Sequence, residues 1–301
     1  MVQTKDEVLI KYTLLGIGME TGLGSILHAY RIPFSGHFLS LNQGFILSKA
    51  AQNQKGSEAQ KSKVTLQVST IVALMKSFSP AGKRLTPMLA ISMQGFLFSF
   101  GYRLLTGRAG TILGICLMSL WTTIQPFLIY YLVFGNSLIE VGQYYLKKLQ
   151  QIIPITHEHL LWGVILMGSA HLLLAFITAI FSFSKKSQVY ESKLEQLSKS
   201  YRPTLVLNKE KLTITKKVQF VLKDMLSPWF LGPIILIATF FITHEPMSVQ
   251  LVWKILRPIA MGFVVFYALR FLPLDKYLLK FIDPKGATGL ALIKVFATLR
   301  K

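Results

Sequence analysis

Arg31, His37, Asn42 and Gln43 share one short stretch, RIPFSGHFLSLNQ (31–43), set between two apolar runs. A guanidinium pairs with carboxylates and phosphates, an imidazole gives or takes a hydrogen bond, and the two side-chain amides do both. Pro33 fixes its own φ and lacks a donor, and Gly36 frees the backbone, so a helix entering the stretch should break there. Polar groups in or beside membrane segments are costly and are usually placed for a reason. The stretch reads as one wall of a ligand site at a membrane surface.

A second stretch, SPAGKRLTPMLAISMQG (79–95), has the same make-up. Two prolines and a glycine make a sharp connection with Lys83 and Arg84 at its tip, and Gln94 follows within an apolar segment. Gln125 lies inside another. Each residue has a plainer reading as well. Arg31, Lys83 and Arg84 suit anchors that snorkel to lipid headgroups. His37 suits a helix cap, and Asn42, Gln43, Gln94 and Gln125 suit hydrogen bonds between helices.

Glu20 is the one acid deep in the first segments, which suits a proton- or cation-linked role or a buried partner such as Arg103. His157-Glu158-His159 offers nitrogen and oxygen ligands, but three adjacent residues do not close a metal site, and the single cysteine, Cys116, adds no cysteine-based one. No metal or other cofactor is expected. Enzymatic signatures are missing: there is no Walker loop, no G-x-S-x-G elbow and no H-E-x-x-H. The chain reads as a non-enzyme.

The composition sets the medium. The 301 residues are 52% hydrophobic and 15% charged, with a formal net charge of +20. A soluble domain carries roughly 25% charge. The expected fold is therefore all-α, a polytopic membrane bundle, with no nucleic-acid partner because no basic-aromatic module stands in a soluble stretch. A span needs about 20 mostly apolar residues. Eight segments suggest themselves, near 8–30, 37–51, 64–78, 88–105, 111–134, 159–183, 226–243 and 249–271. The second and third are short and need shielding by neighbours. Pro126 should kink the fifth. The stretch 138–152 reads as an amphipathic helix. Residues 185–223 hold ten Lys or Arg against three Glu and read as a basic loop, and 272–301 as a basic amphipathic tail on the bilayer. The expected organisation is a six-helix membrane core (1–184), a basic cytoplasmic loop (185–224), two further transmembrane helices (225–271) and the tail (272–301). Eight crossings put both termini on one side, and the basic stretches make that side cytoplasmic. The connections at 31–36, 79–86 and 136–158 then face outside.

This layout, with the stretches 31–43 and 79–95, resembles the substrate-binding S components of energy-coupling factor vitamin transporters. The resemblance covers roughly residues 8–184. It implies a six-helix core in a bacterial cytoplasmic membrane. It implies capture of a small vitamin-like nutrient from outside by Arg31, His37, Asn42, Gln43, Lys83, Arg84, Gln94 and Gln125. It also implies docking through small residues of the first segment (Gly18, Gly22, Ser25 and Ala29) to a transmembrane coupling subunit driven by ABC ATPases. Two other functions fit the residues: an integral membrane enzyme acting on a lipid or isoprenoid phosphate, and a scaffold working through the basic loop.

Overall fold

The computed structural model describes residues 5–24, 27, 30, 34–76, 85–153, 156–200, 213–244, 246, 248–271 and 289. Every regular element among them is helical. Helix α1 (Lys5–Ile17) runs into a π-helical turn (Gly18–Leu23). There follow α2 (Ser35–Asn53), α3 (Glu58–Lys76), α4 (Leu85–Leu105), α5 (Gly107–Phe134) and α6 (Asn136–Gln150). The last five are α7 (His157–Ser182), α8 (Lys186–Ser200), α9 (Ile214–Met225), α10 (Pro228–His244) and α11 (Val249–Phe271).

Among the described residues, four helical stretches are long and apolar enough to cross a membrane: Thr86–Leu105, Gly107–Phe134, Glu158–Ser182 and Val249–Ala268. A fifth candidate is Ile214–Met225 with Phe230–His244, bent by 67°. This is the pattern of a multi-pass membrane protein. Lipid explains an exposure that water would penalise: Leu166 is 72% exposed and Leu161 60%. The eight expected crossings are reduced for local reasons. Helix α1 leaves regular α geometry after 13 residues. Helices α2 and α3 carry amides, hydroxyls and lysines along their length, and α10 has only 17 residues. Pro126 lies inside α5, and the helix continues through it to Phe134.

The chain falls into two compact units. The first comprises 1–123, 168–209 and 273–301; its described elements are α1, the π turn, α2, α3, α4, the first part of α5, the later part of α7, and α8. Its core runs from Val8, Leu9 and Tyr12 through Phe45 and Leu47 of α2 to Ile71 and Met75 of α3. Most of α2 is shielded by its neighbours, with all residues from Gln43 to Ala51 buried. Helix α8 belongs to this core through Leu194, although the basic stretch around it reads in the sequence as a loop. An apolar stripe with charges on its other side needs only a partner surface to fold onto.

The second unit comprises 124–167 and 210–272. Its core is aromatic: Phe134, Phe230, Phe241 and Phe266 pack with Val221, Ile237 and Leu251. The amphipathic helix expected at 138–152 is α6, which turns Val141 and Leu146 inward. Gly262 lets α11 approach the Phe230 ring, where an added Cβ would come within 2.4 Å.

Candidate functional site: a polar hub on α2

The break expected at Pro33 lies outside the described residues; helix α2 starts at Ser35. Phe34 holds φ 60 and ψ 11, and its carbonyl accepts from the amides of His37 (3.0 Å) and Phe38 (3.1 Å). A left-handed conformation is rare for a bulky residue, so the chain enters the helix under constraint.

From this entry α2 sends polar side chains to its neighbours in the first unit. Ser40 Oγ lies 3.0 Å from Thr122 Oγ1 of α5, which in turn accepts from Gln94 Nε2 of α4 at 3.0 Å. Asn42 Oδ1 accepts from the Tyr190 hydroxyl of α8 at 2.6 Å, while its amide donates to Phe38 O. Gln43 Nε2 donates to Ser69 Oγ of α3 (2.9 Å) and to the Ile91 carbonyl of α4 (3.1 Å). Lower down, Ser48 Oγ meets Ser182 Oγ of α7 at 2.7 Å. Five neighbouring helices are thus tied to one. Gly95 makes the α3–α4 contact possible, since a Cβ there would sit 2.1 Å from Ser69.

Two histidines close the upper end. The His37 ring lies 4.3 Å from that of His171 on α7, centroid to centroid, at 49°. His171 Nδ1 is 3.4 Å from Thr123 Oγ1. Nε2 of both histidines is buried without a hydrogen-bond partner among the described residues. Tyr30 and Phe34, 78% and 68% exposed, occupy the chain leading to this end.

Nearby, the π turn presents the Glu20 carbonyl to the ammonium of Lys76, at the last residue of α3. A π turn shifts the backbone ladder, which leaves a carbonyl for an outside donor. Glu20 and Lys76 are both buried, so the ammonium lies close to the acidic residue whose carbonyl it meets. The carboxylate's expected partner, Arg103, instead stands exposed in the last turn of α4. Glu20, Gln43 and Ser69 line a cavity with about 10 Å³ free for a water's centre, room for about one molecule. Gln43 Oε1 has no partner. Solute pockets measure about 300–1,000 Å³, so a vitamin-sized body does not fit inside this space.

The opposite end of the unit carries the other charges. The Tyr12 hydroxyl donates to Glu191 of α8 at 2.7 Å and accepts from Asn53, and Lys11 pairs with Glu191 at 2.7 Å. Arg108, at the start of α5, lies over the Phe183 ring after α7. The ends of α2, α4 and α7 therefore share one face.

Of the residues singled out from the sequence, His37, Asn42, Gln43 and Gln94 meet in this hub. Gln125 is half-buried in the second unit. Arg31, Lys83, Arg84, Ser25 and Ala29 lie outside the described residues. Gly18 is covered from within the chain, since a Cβ there would approach Ser198 of α8 to 2.4 Å, and Gly22 is half-buried. At Gly18 the small face serves packing within the chain. Among the described residues no three His, Cys, Asp or Glu are grouped to hold a metal. His171, Thr122, Ser69, Tyr190 and Lys76 escaped the sequence reading. His171 carried a signal: it stands alone in the apolar run ILMGSAHLLLAF. No protein-family model, curated protein or solved structure matches this chain.

Proposed function

We infer that the chain is a membrane-embedded solute-binding subunit of a transporter, taking up a small vitamin-like nutrient with energy from partner ATPases. One observation carries the reading: polar groups of five helices converge on α2, and two buried imidazole nitrogens at its entry have no partner among the described residues. Hydrogen-bonding capacity left open in an apolar bundle suits a ligand that completes it. The cavity beside Gln43 is too small for the solute, so capture takes place at the α2 entry, with Arg31, Lys83 and Arg84 supplying charge from the adjoining connections. That end faces outside. The end bearing Lys11, Lys49 and Arg108 is cytoplasmic, as are both termini, in a bacterial cytoplasmic membrane. The coupling subunit docks along the first segment at Gly22, Ser25 and Ala29, Gly18 being taken by α8.

The test is gentle-detergent purification of the tagged full-length chain from its native membrane, followed by mass spectrometry. ABC-type ATPases and a second membrane subunit should co-purify in stoichiometric amounts. Recovery of the intact chain alone, in native lipid and good yield, would count against the transporter reading.

A further inference from the structure

We propose that α6 lies at the membrane–water interface with one apolar side seated on phospholipid acyl chains. The inference concerns the second unit and holds whatever solute the first unit binds.

Connectivity sets the level of the helix. Helix α5 ends at Phe134, Gly135 turns the chain with φ 59, and α6 begins at Asn136. Helix α7 starts at His157, a short way beyond the end of α6 at Gln150. Both α5 and α7 carry membrane-crossing stretches, so α6 is held where those crossings end. Exposed aromatic side chains mark the same level. Tyr131 stands exposed in the last turn of α5, and Trp162 near the start of α7. Tyr144 of α6 lies 4.5 Å from His244, the last residue of α10, ring to ring. The chain then returns through α11 from Val249, and Trp253 in its second turn is exposed as well. Tyrosine and tryptophan collect at the headgroup level of a bilayer.

Helix α6 has three sides. Leu138, Val141 and Tyr145 pack on the aromatic core of the unit. Glu140, Gln143 and Lys147 form a second side, polar and exposed. Ile139, Gly142 and Leu149 recur at helical spacing on a third, and all three stand open. Ile139 is 51% exposed, and a Cβ at Gly142 would meet nothing within 4 Å. The open apolar surface continues past the helix into Ile152, 81% exposed, and Ile153. A contiguous apolar surface of this kind marks a docking face. An apolar side next to a polar one is the make-up of a helix that rests in the interface, with its apolar residues sunk among acyl chains. At this depth lipid is the medium that meets the open side. Lys147 then reaches headgroup phosphates while its stem lies along the helix.

The experiment spin-labels the full-length chain in nanodiscs of phosphatidylcholine and phosphatidylglycerol, with Cys116→Ser removing the single native cysteine. Ile139→Cys and Leu149→Cys carry the label on the apolar side, and Gln143→Cys and Lys147→Cys on the polar side. Leu166→Cys on α7 is the lipid-facing reference. Power saturation reads the access of each label to oxygen, which concentrates in lipid, and to a water-soluble nickel chelate, which hydrocarbon excludes. The oxygen-to-nickel ratio should be about tenfold higher at I139C and L149C than at Q143C and K147C, and close to that at L166C. Equal ratios on the two sides would put the apolar stripe in water and overturn the inference. Labels at I139C and L149C shielded from both reagents would overturn it too; line broadening that vanishes on dilution with unlabelled chain would then identify a second copy as the cover. If either cysteine variant does not fold, isoleucine methyl labelling of the otherwise native chain decides. Lipid acyl protons should give nuclear Overhauser cross-peaks to the Ile139 methyls, assigned through Ile139→Val. Cross-peaks from water in their place contradict the proposal.

Discussion

The two units of this chain are built from the same secondary structure by different means. The first ties its helices together through hydroxyls, amides and close backbone approaches around α2, and it buries Glu20, Lys76, Asn42, Gln43 and His171. The second packs Phe134, Phe230, Phe241 and Phe266 against aliphatic neighbours. Dispersion between rings is non-specific in chemistry, so an aromatic core asks only that shapes match. Buried polar groups fix partners one by one and leave conspicuous gaps wherever a partner is missing. Open hydrogen-bonding capacity in the first unit is therefore informative about function, whereas the second unit reads as support.

Substitutions can break this contrast. The largest effect is expected in the second unit, where Phe230→Ala empties a space bounded by Phe134, Phe266 and the close face of Gly262. It should cost about 4 kcal/mol, and Phe230→Leu much less, in denaturant unfolding in detergent. The next is Lys76→Met, which leaves the Glu20 carbonyl without its donor and the buried carboxylate without its counter-charge; the loss should be about 3 kcal/mol. Adding Glu20→Gln should recover part of it, since the uncompensated charge goes too. A double mutant no more stable than Lys76→Met would show that the two charges are not coupled.

Smaller effects sharpen the picture. Gln43→Leu removes the bonds to Ser69 and Ile91 and should cost about 1 kcal/mol, because hydrogen bonds inside membranes exchange against other partners. A cost above that of Phe230→Ala would reverse the contrast between the units. The smallest change lies at the surface. Lys61 and Tyr102 hydrogen-bond Glu58 and hold its carboxyl below the usual range, the Lys61 contact being 2.8 Å. A depressed carboxylate adds stability above its unfolded pKa and loses it as pH falls through the folded value. Glu58→Gln should therefore lower stability slightly at neutral pH, and the gap from wild type should close on acidification below the carboxylate range. A gap that persists there would assign the effect to packing.

Much of this was legible in the sequence. The long apolar helices α4, α5, α7 and α11 announce themselves by length. The eight crossings expected from the sequence are not all met, because α2 and α3 are too polar to satisfy the criterion alone; the shielding their shortness called for is seen in the buried run from Gln43 to Ala51. The basic stretch 185–223 reads as a loop with helical and extended pieces, but that one of them, α8, joins the core was not legible, as its apolar stripe of Tyr190 and Leu194 makes sense only against α1 and α2. Asn42, Gln43 and Gln94 were visible as polar residues in apolar runs, but the pairings were not. Tyr190 and Asn42 are 148 residues apart, and no periodicity links them. Glu20 was singled out while Lys76 was not, since a lysine at the end of an apolar run looks like an ordinary interfacial anchor.

The central claim is that the α2 hub captures a small solute. Its most direct test is the thermal unfolding of the purified chain in native-like lipid against a broad vitamin panel. At least one compound should raise the melting temperature progressively as its free concentration exceeds Kd, and Asn42→Leu or His37→Gln should blunt that rise. A well-folded wild-type chain whose melting temperature no member of the panel shifts, at any concentration, would contradict the account.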